Sequence, residues 1–287
     1  MNLCDMATIQ PLLARHGFHF SKSMGQNFLI EGWVPRDIAA ASGATPAHGV
    51  LEIGPGIGPL TRELSALAGK VVSVELDRSL LPVLKETLAD CPNTEVLNED
   101  ILKVDLPALA AEKFEGLHPI VCANLPYNIT TPVLTALISS RCFSRITVLI
   151  QREVALRICA RPGTADYGAF SVYMQYHTQP ELLFDVPSRC FLPAPKVTSS
   201  VLRCTLRPSP PVEADETLFF RTVRSAFALR RKTLVNSLQT GFGSSLSKQE
   251  LTEAVCACGL PENIRGERLG LEEFARLSRE LQRRLGA

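Results

Sequence analysis

Although the chain holds nine cysteines, it contains no Cys-x-x-Cys. The nine are scattered and odd in number, and the closest pair is Cys256 and Cys258. Cys122, Cys142 and Cys159 sit in apolar surroundings, where a thiol behaves as a small hydrophobe. This pattern argues against a disulfide scaffold or a zinc site and predicts reduced thiols in a cytoplasmic protein that binds no metal. Long hydrophobic runs are also missing, because charges or prolines interrupt each apolar stretch, so no membrane span is expected. The first twenty residues lack a basic segment followed by a clean apolar one, and their single arginine, Arg15, is accompanied by Asp5. Neither a secretory signal nor an Arg-rich transit peptide is expected. Charge of one sign is lacking as well: the net charge of +1 gives no support by itself to nucleic-acid binding. The imbalance is regional, with 17 Lys+Arg against 19 Asp+Glu over residues 1–205 and 13 against 10 over residues 206–287.

With 287 residues, 46% hydrophobic and 21% charged, the chain can bury a sizeable core, one large domain plus a smaller one. Residues 7–16 read as a short helix and residues 18–29 as an ordered loop with buried aromatics. A helix over 34–42 ends at Gly43. Val50 to Ile53 reads as a strand that runs into Gly54-Pro55-Gly56-Ile57-Gly58 and a helix reaching Leu67. Glycines there permit a tight turn and let backbone approach a ligand at a helix N-terminus. A second strand, Lys70 to Glu75, ends on an acid 21 residues beyond Gly54, a spacing suited to accepting hydrogen bonds from ribose hydroxyls. A helix over 78–89 and a third strand, Thr94 to Asn98, lead to Glu99-Asp100. Asp100 is either a solvated loop acid or an acceptor for an adenine amino group. Gly54, Glu75 and Asp100 at three successive strand ends point to an adenosine-bearing cofactor.

The fourth strand, Ile120 to Ala123, delivers Asn124-Leu125-Pro126-Tyr127. An amide beside an aromatic face is what a flat base with an exocyclic amine requires. Asn124 and the Leu125 carbonyl are expected to accept the two N–H bonds of that amine. Pro126 restricts the backbone between them and the next residue, and Tyr127 stacks on the base. A helix over 130–139, a strand over 146–150 and a helix over 152–159 follow; 170–176 and 181–186 read as strands. The stretch Phe191-Leu192-Pro193-Ala194-Pro195-Lys196-Val197 reads as a loop, with Phe191 either core or a second stacking platform. Val201 to Leu206 closes the sheet, and Arg207-Pro208-Ser209-Pro210-Pro211 reads as a linker. Beyond it helices are expected at 215–229, 230–240, 247–258 and 271–285. Arg221, Arg224, Arg230, Arg231 and Lys232 form either a solvated helix face or a phosphate-binding surface.

Taken together these motifs resemble the ribosomal RNA adenine dimethyltransferase family, in its small-subunit (16S) branch. The residues carrying the resemblance are Gly25-Gln26-Asn27-Phe28-Leu29, Glu52 to Gly58, Glu75 with Asp77, Glu99-Asp100, Asn124 to Tyr127, Tyr167-Gly168, Phe191-x-Pro193-x-Pro195-x-Val197 and Arg230-Arg231-Lys232-Thr233-Leu234. The resemblance implies an α/β, class I (Rossmann-like) methyltransferase sheet over residues 1–206 and a small helical rRNA-recognition domain over 207–287. It implies S-adenosylmethionine as cofactor, with Asn27, Leu29 and Gly54 at the methionine end, Glu75 on the ribose, Asp100 on the adenine and Asn124 where cofactor and target meet. It further implies a monomer acting on 16S rRNA in the small subunit or its precursor, where two adjacent adenosines of a hairpin loop near the 3′ end become N6,N6-dimethyladenosine. Competing readings are a 23S rRNA adenine methyltransferase of the antibiotic-resistance type, a non-catalytic RNA-binding or transcription factor on the same scaffold, and a NAD-dependent dehydrogenase. Pro59, standing where a dinucleotide fingerprint has its third glycine, weakens the last.

Overall fold

A computed structural model describes residues 1–20 and 25–286. Ser21 to Met24, within the loop expected over 18–29, lie outside the described residues. The strands are β1 (Phe28–Leu29), β2 (His48–Ile53), β3 (Lys70–Val74), β4 (Thr94–Leu97), β5 (His118–Asn124), β6 (Arg145–Gln151), β7 (Thr178–Val186), β8 (Phe191–Leu192) and β9 (Ser199–Leu206). The helices are α1 (Met6–Arg15), α2 (Trp33–Ser42), α3 (Pro59–Leu67), α4 (Leu81–Thr87), α5 (Leu106–Lys113), α6 (Thr130–Ser140), α7 (Arg152–Cys159), α8 (Ala169–His177), α9 (Glu216–Phe227), α10 (Leu234–Phe242), α11 (Lys248–Ala257) and α12 (Leu271–Leu285).

Seven strands form one sheet in the order β4-β3-β2-β5-β6-β9-β7. The pairs β3–β4, β2–β3, β2–β5 and β5–β6 are parallel, whereas β9 runs antiparallel to β6. The chain moves outward from β2 through β3 to β4 and then returns to the other side of β2 at β5. This reversal opens a crevice at the carboxyl ends of β2 and β5, the usual ligand position in open α/β sheets. Central strands covered on both faces need continuous apolar sequence rather than alternation. Ile120, Val121, Cys122 and Ala123 accordingly have no exposure. Val34 and Ile38 of α2, Leu60 and Leu64 of α3, Val50, Val71, Ile120, Leu149, Phe191 and Val201 form one continuous cluster. Each fully buried Leu, Ile or Val there contributes roughly 1.5–3 kcal/mol.

The chain divides into two compact units, 1–155 with 181–206, and 156–180 with 207–287. The expected boundary at 206/207 therefore falls within a more interleaved arrangement, because residues 156–180 group with the C-terminal helices. Phe170 to Tyr176, read as a strand from its β-branched and aromatic residues, is the helix α8. Val172 and Tyr176, four apart, join the buried cluster of the second unit, and Phe170 stacks on Tyr173 at 6.3 Å. That cluster also holds Phe219 and Val223 of α9, Leu238 and Phe242 of α10, and Phe274 and Leu281 of α12. The buried Tyr167 hydroxyl donates to the Leu269 carbonyl at 2.9 Å.

The helix expected over 230–240 begins only at Leu234. Arg230, Arg231 and Lys232 occupy an exposed turn before it. The helix α5 is an element that the sequence pattern does not announce; Asp105 caps it, its side chain accepting from the Ala108 N–H at 3.0 Å. Phe191-Leu192, expected as loop, forms a short ladder with Phe28-Leu29. No helix among the described residues is long and apolar enough to cross a membrane.

Candidate active site

The carboxyl ends of β2, β3 and β5 and the turns after them line one cleft in the first unit, together with Gly25 to Leu29. Asn27, Leu29, Gly54, Glu75, Asp100, Asn124, Leu125, Pro126 and Tyr127 all line it. The glycine turn explains itself residue by residue. Gly54 (φ +68°) and Gly56 (φ +61°) lie in the left-handed region that side-chain-bearing residues avoid. The Gly54 N–H is already committed to the Val74 carbonyl at 2.9 Å, so this residue serves the cleft by lacking a side chain rather than by donating. A Cβ there would lie 3.8 Å from Pro126 Cδ, so the glycine turn and the acceptor tetrapeptide face each other at close range.

Glu75 follows β3 and is 7% exposed. Its Oε1 accepts from the Asp77 N–H at 2.8 Å, and the backbone at Gly56 and Leu76 also supplies hydrogen bonds. Burial outweighs these bonds and the carboxyl is pushed up to about 7. Asp77 is anchored in turn: Gln26 Nε2 donates to its Oδ2 at 2.7 Å, and the Ser79 hydroxyl donates to its Oδ1 at 2.6 Å. Asp100 receives the Leu102 N–H at 3.1 Å on Oδ1, and Lys103 stands 3.5 Å from its Oδ2. Asn98, just after β4, donates to the Glu75 carbonyl at 2.8 Å and fastens the two acidic turns to each other.

At the end of β5, Asn124 Nδ2 donates to the Asn27 carbonyl at 3.2 Å. This donation fixes the sense of the amide, leaving Oδ1 as the acceptor the tetrapeptide presents. The Pro126 carbonyl is committed to the Ile129 N–H and the Thr130 hydroxyl, each at 3.2 Å, while the Leu125 N–H is held by the Leu149 carbonyl at 3.1 Å. The Tyr127 hydroxyl lies 2.6 Å from Ser199 Oγ, and partial burial raises its pKa.

Phe191 does not take the second stacking position. It is 2% exposed, sits in the cluster with Leu29 and Val34, and pairs with Leu29 through the β1–β8 ladder. Of its two readings, core is the one its burial satisfies. Arg221 is similarly engaged: its guanidinium donates twice to the Gly241 carbonyl, at 2.7 and 3.2 Å, and lies 4.5 Å from the Phe242 ring centroid. It braces α9 against α10. Arg224, Arg230, Arg231 and Lys232 are exposed on the second unit, and Arg230 also donates to the Ala165 carbonyl at 2.8 Å.

One important group carried no assigned role in the sequence. Glu52 in β2 is 1% exposed, and its Oε2 accepts both the Thr61 and Ser73 hydroxyls at 2.6 Å. Burial, reinforced by the nearby Glu75 charge, pushes it up to about 7. The signal was an acid inside the apolar run Val50-Leu51-Glu52-Ile53, directly before the glycine turn. Ser199 is a second such residue, with nothing local to mark it.

The sheet with its reversed β9, the glycine turn and the two acids after β3 and β4 define a class, the Rossmann-like S-adenosylmethionine-dependent methyltransferases. Comparison with known proteins narrows it. The family profile described as ribosomal RNA adenine dimethylase matches residues 17–282. The ribosomal RNA small subunit methyltransferase A of Alkaliphilus metalliredigens is 46% identical over 275 residues, covering 95% of this chain and 96% of that one. Its namesake in Geobacillus thermodenitrificans is 45% identical over 284 residues, covering 96% and 97%. Among solved structures, a dimethyladenosine transferase from Plasmodium falciparum superposes with a TM-score of 0.75 at 23% identity, covering 90% of this chain and 98% of the other. The 23S rRNA methyltransferase ErmE gives 0.68 at 27% identity, covering 89% and 100%. The chain belongs to the ribosomal RNA adenine dimethylase family.

Proposed function

We propose that this protein transfers methyl groups from S-adenosylmethionine to N6 of two adjacent adenosines near the 3′ end of 16S rRNA, giving N6,N6-dimethyladenosine. The observation that carries the reading is the orientation of Asn124, whose amide nitrogen is taken by the Asn27 carbonyl so that Oδ1 serves as acceptor beside the glycine turn. Relatives named for the small subunit, at about 45% identity over nearly their whole length, favour 16S over the 23S substrate named for ErmE.

The residues suit an adenosyl cofactor on two structural grounds: the side-chain-free approach at Gly54, and a buried acid, Glu75, whose carboxylate is pinned by backbone amides at the cleft wall. Glu75 would accept the ribose hydroxyls, Asp100 the adenine amino group, and Asn27, Leu29 and Gly54 would hold the methionine end. When bound, S-adenosylmethionine supplies a methyl group on an electrophilic sulfonium.

The amine N6 is a weak nucleophile because its lone pair is delocalised into the ring. In the first transfer Asn124 Oδ1 and the Leu125 carbonyl accept the two N–H bonds of N6, and in the second one of them accepts the single N–H that remains; these contacts favour a tetrahedral nitrogen and free the lone pair. The Pro126 carbonyl, held by Ile129 and Thr130, keeps the turn rigid, and Tyr127 supports the base by stacking. Positioning provides the rate gain, and the scheme needs no strong general base, since the nitrogen becomes acidic once alkylated. The exposed Arg224, Arg230, Arg231 and Lys232 supply phosphate contacts.

The test is Asn124→Ala, assayed by radiolabelled methyl incorporation into undermethylated small subunits and by calorimetry with S-adenosylmethionine. Cofactor affinity should hold substantially while incorporation falls by orders of magnitude. Near wild-type incorporation would refute the assignment.

A further inference from the structure

We propose that Ser199 is a positioning residue for the acceptor base, its hydroxyl setting the plane of the Tyr127 ring through the 2.6 Å contact between the two oxygens. The inference rests on reading Tyr127 as the surface on which the target base stacks. Tyr127 leaves the sheet just beyond the end of β5, and Ser199 opens β9, two strands away across β6. The ring is therefore tied at both ends, by its backbone to one strand and by its hydroxyl to another.

The far anchor is itself fixed. Ser199 has no exposure and pairs with Gln151 at the end of β6. Adjacent residues of a strand point to opposite faces, so Ser200 turns away from the tyrosine. Its hydroxyl donates to Asp185 Oδ1 at 2.6 Å, while Arg152 Nε donates to Asp185 Oδ2 at 3.0 Å. The Arg152 N–H also donates to the Thr198 carbonyl at 3.0 Å. One serine thus holds the ring while its neighbour locks the ends of β6, β7 and β9. Removing either hydroxyl of the Tyr127–Ser199 pair frees the ring to sample other rotamers without altering the cofactor-facing residues. Burial favours the neutral phenol at Tyr127, so the contact persists through the neutral pH range.

Wild type, Ser199→Ala, Tyr127→Phe and the double variant should be compared in methyl transfer to small subunits lacking the modification, with cofactor affinity and melting temperature measured alongside. Each single variant should lose about three- to tenfold in kcat/KM, the typical worth of one hydrogen bond. The double variant should lose no more activity than either single one, with cofactor affinity unchanged and the melting temperature lowered only by the few degrees that one lost buried hydrogen bond costs. Full activity of Ser199→Ala, or losses that multiply in the double variant, would overturn the inference. So would a loss confined to Ser199→Ala and matched by a lowered melting temperature. An inactive wild type would overturn the methyltransferase reading and this inference with it, whereas an active wild type with an unaffected Ser199→Ala overturns the inference alone.

Discussion

Replacing Glu52 by Gln should make the ligand-free protein more stable at alkaline pH while changing little in acid. In the folded chain Glu52 keeps its proton up to about 7, against an ordinary 4.5, because burial disfavours its charge. The folded state therefore binds the extra proton between those values. Stability from this group is fully present below about 4.5 and is lost as pH rises through about 7. The displacement corresponds to about 3 kcal/mol of penalty at alkaline pH, since one pKa unit is about 1.4 kcal/mol. Glutamine keeps the shape, offers an oxygen to the Thr61 and Ser73 hydroxyls, and carries no charge to bury. Urea unfolding of both proteins at several pH values from 5 to 8.5 provides the assay. Trp33, the chain's one tryptophan, lies in α2 of the first unit and reports that unit's transition by fluorescence. The variant should match wild type within about 1 kcal/mol at pH 5 and exceed it by about 3 kcal/mol at pH 8.5. A stability difference independent of pH would refute the reasoning, as would a variant less stable than wild type at pH 8.5.

Other substitutions test other parts of the molecule. Glu75→Ala removes an acceptor of two hydroxyl donors and should weaken S-adenosylmethionine binding about a hundredfold by calorimetry; unchanged affinity would refute the ribose role. Tyr167→Phe removes the buried bond to the Leu269 carbonyl and should lower the stability of the second unit by about 1 kcal/mol in thermal denaturation. Replacing Arg230, Arg231 and Lys232 together by Ala should reduce the slope of log affinity for rRNA against log salt by about 2 to 3; an unchanged slope would remove them from the phosphate-binding surface.

The site was legible because its groups sit at strand ends, where sequence order and position in space coincide. Gly54, Glu75, Asp100 and Asn124 each lie at or just beyond the end of a readable strand, so their convergence on one cleft follows from the parallel order β4-β3-β2-β5. What escaped depends on distant partners. Ser199 acquires meaning only through Tyr127, 72 residues away in sequence. Arg221 reads as a surface cation until the Gly241 carbonyl and the Phe242 ring claim its guanidinium. Phe191 reads equally well as core or platform until the ladder with Phe28-Leu29 buries it. The helix α8 reads as a strand in sequence because Phe170-Ser171-Val172-Tyr173 alternates like one, whereas packing of Val172 and Tyr176 into the helical cluster selects the other period. The segment 156–180 joins the second unit through such packing, which no local composition shift announces.

The central claim is that the Asn124 tetrapeptide presents an adenine amine of 16S rRNA for methylation. Its most direct test is methyl transfer by wild type and Asn124→Ala to small subunits lacking the modification, with the modified nucleotides mapped. Wild type should convert two adjacent adenosines near the 3′ end of 16S rRNA to N6,N6-dimethyladenosine, and Asn124→Ala should leave them unmodified while still binding S-adenosylmethionine. Methylation of 23S rRNA instead, or undiminished dimethylation by Asn124→Ala, would contradict the account.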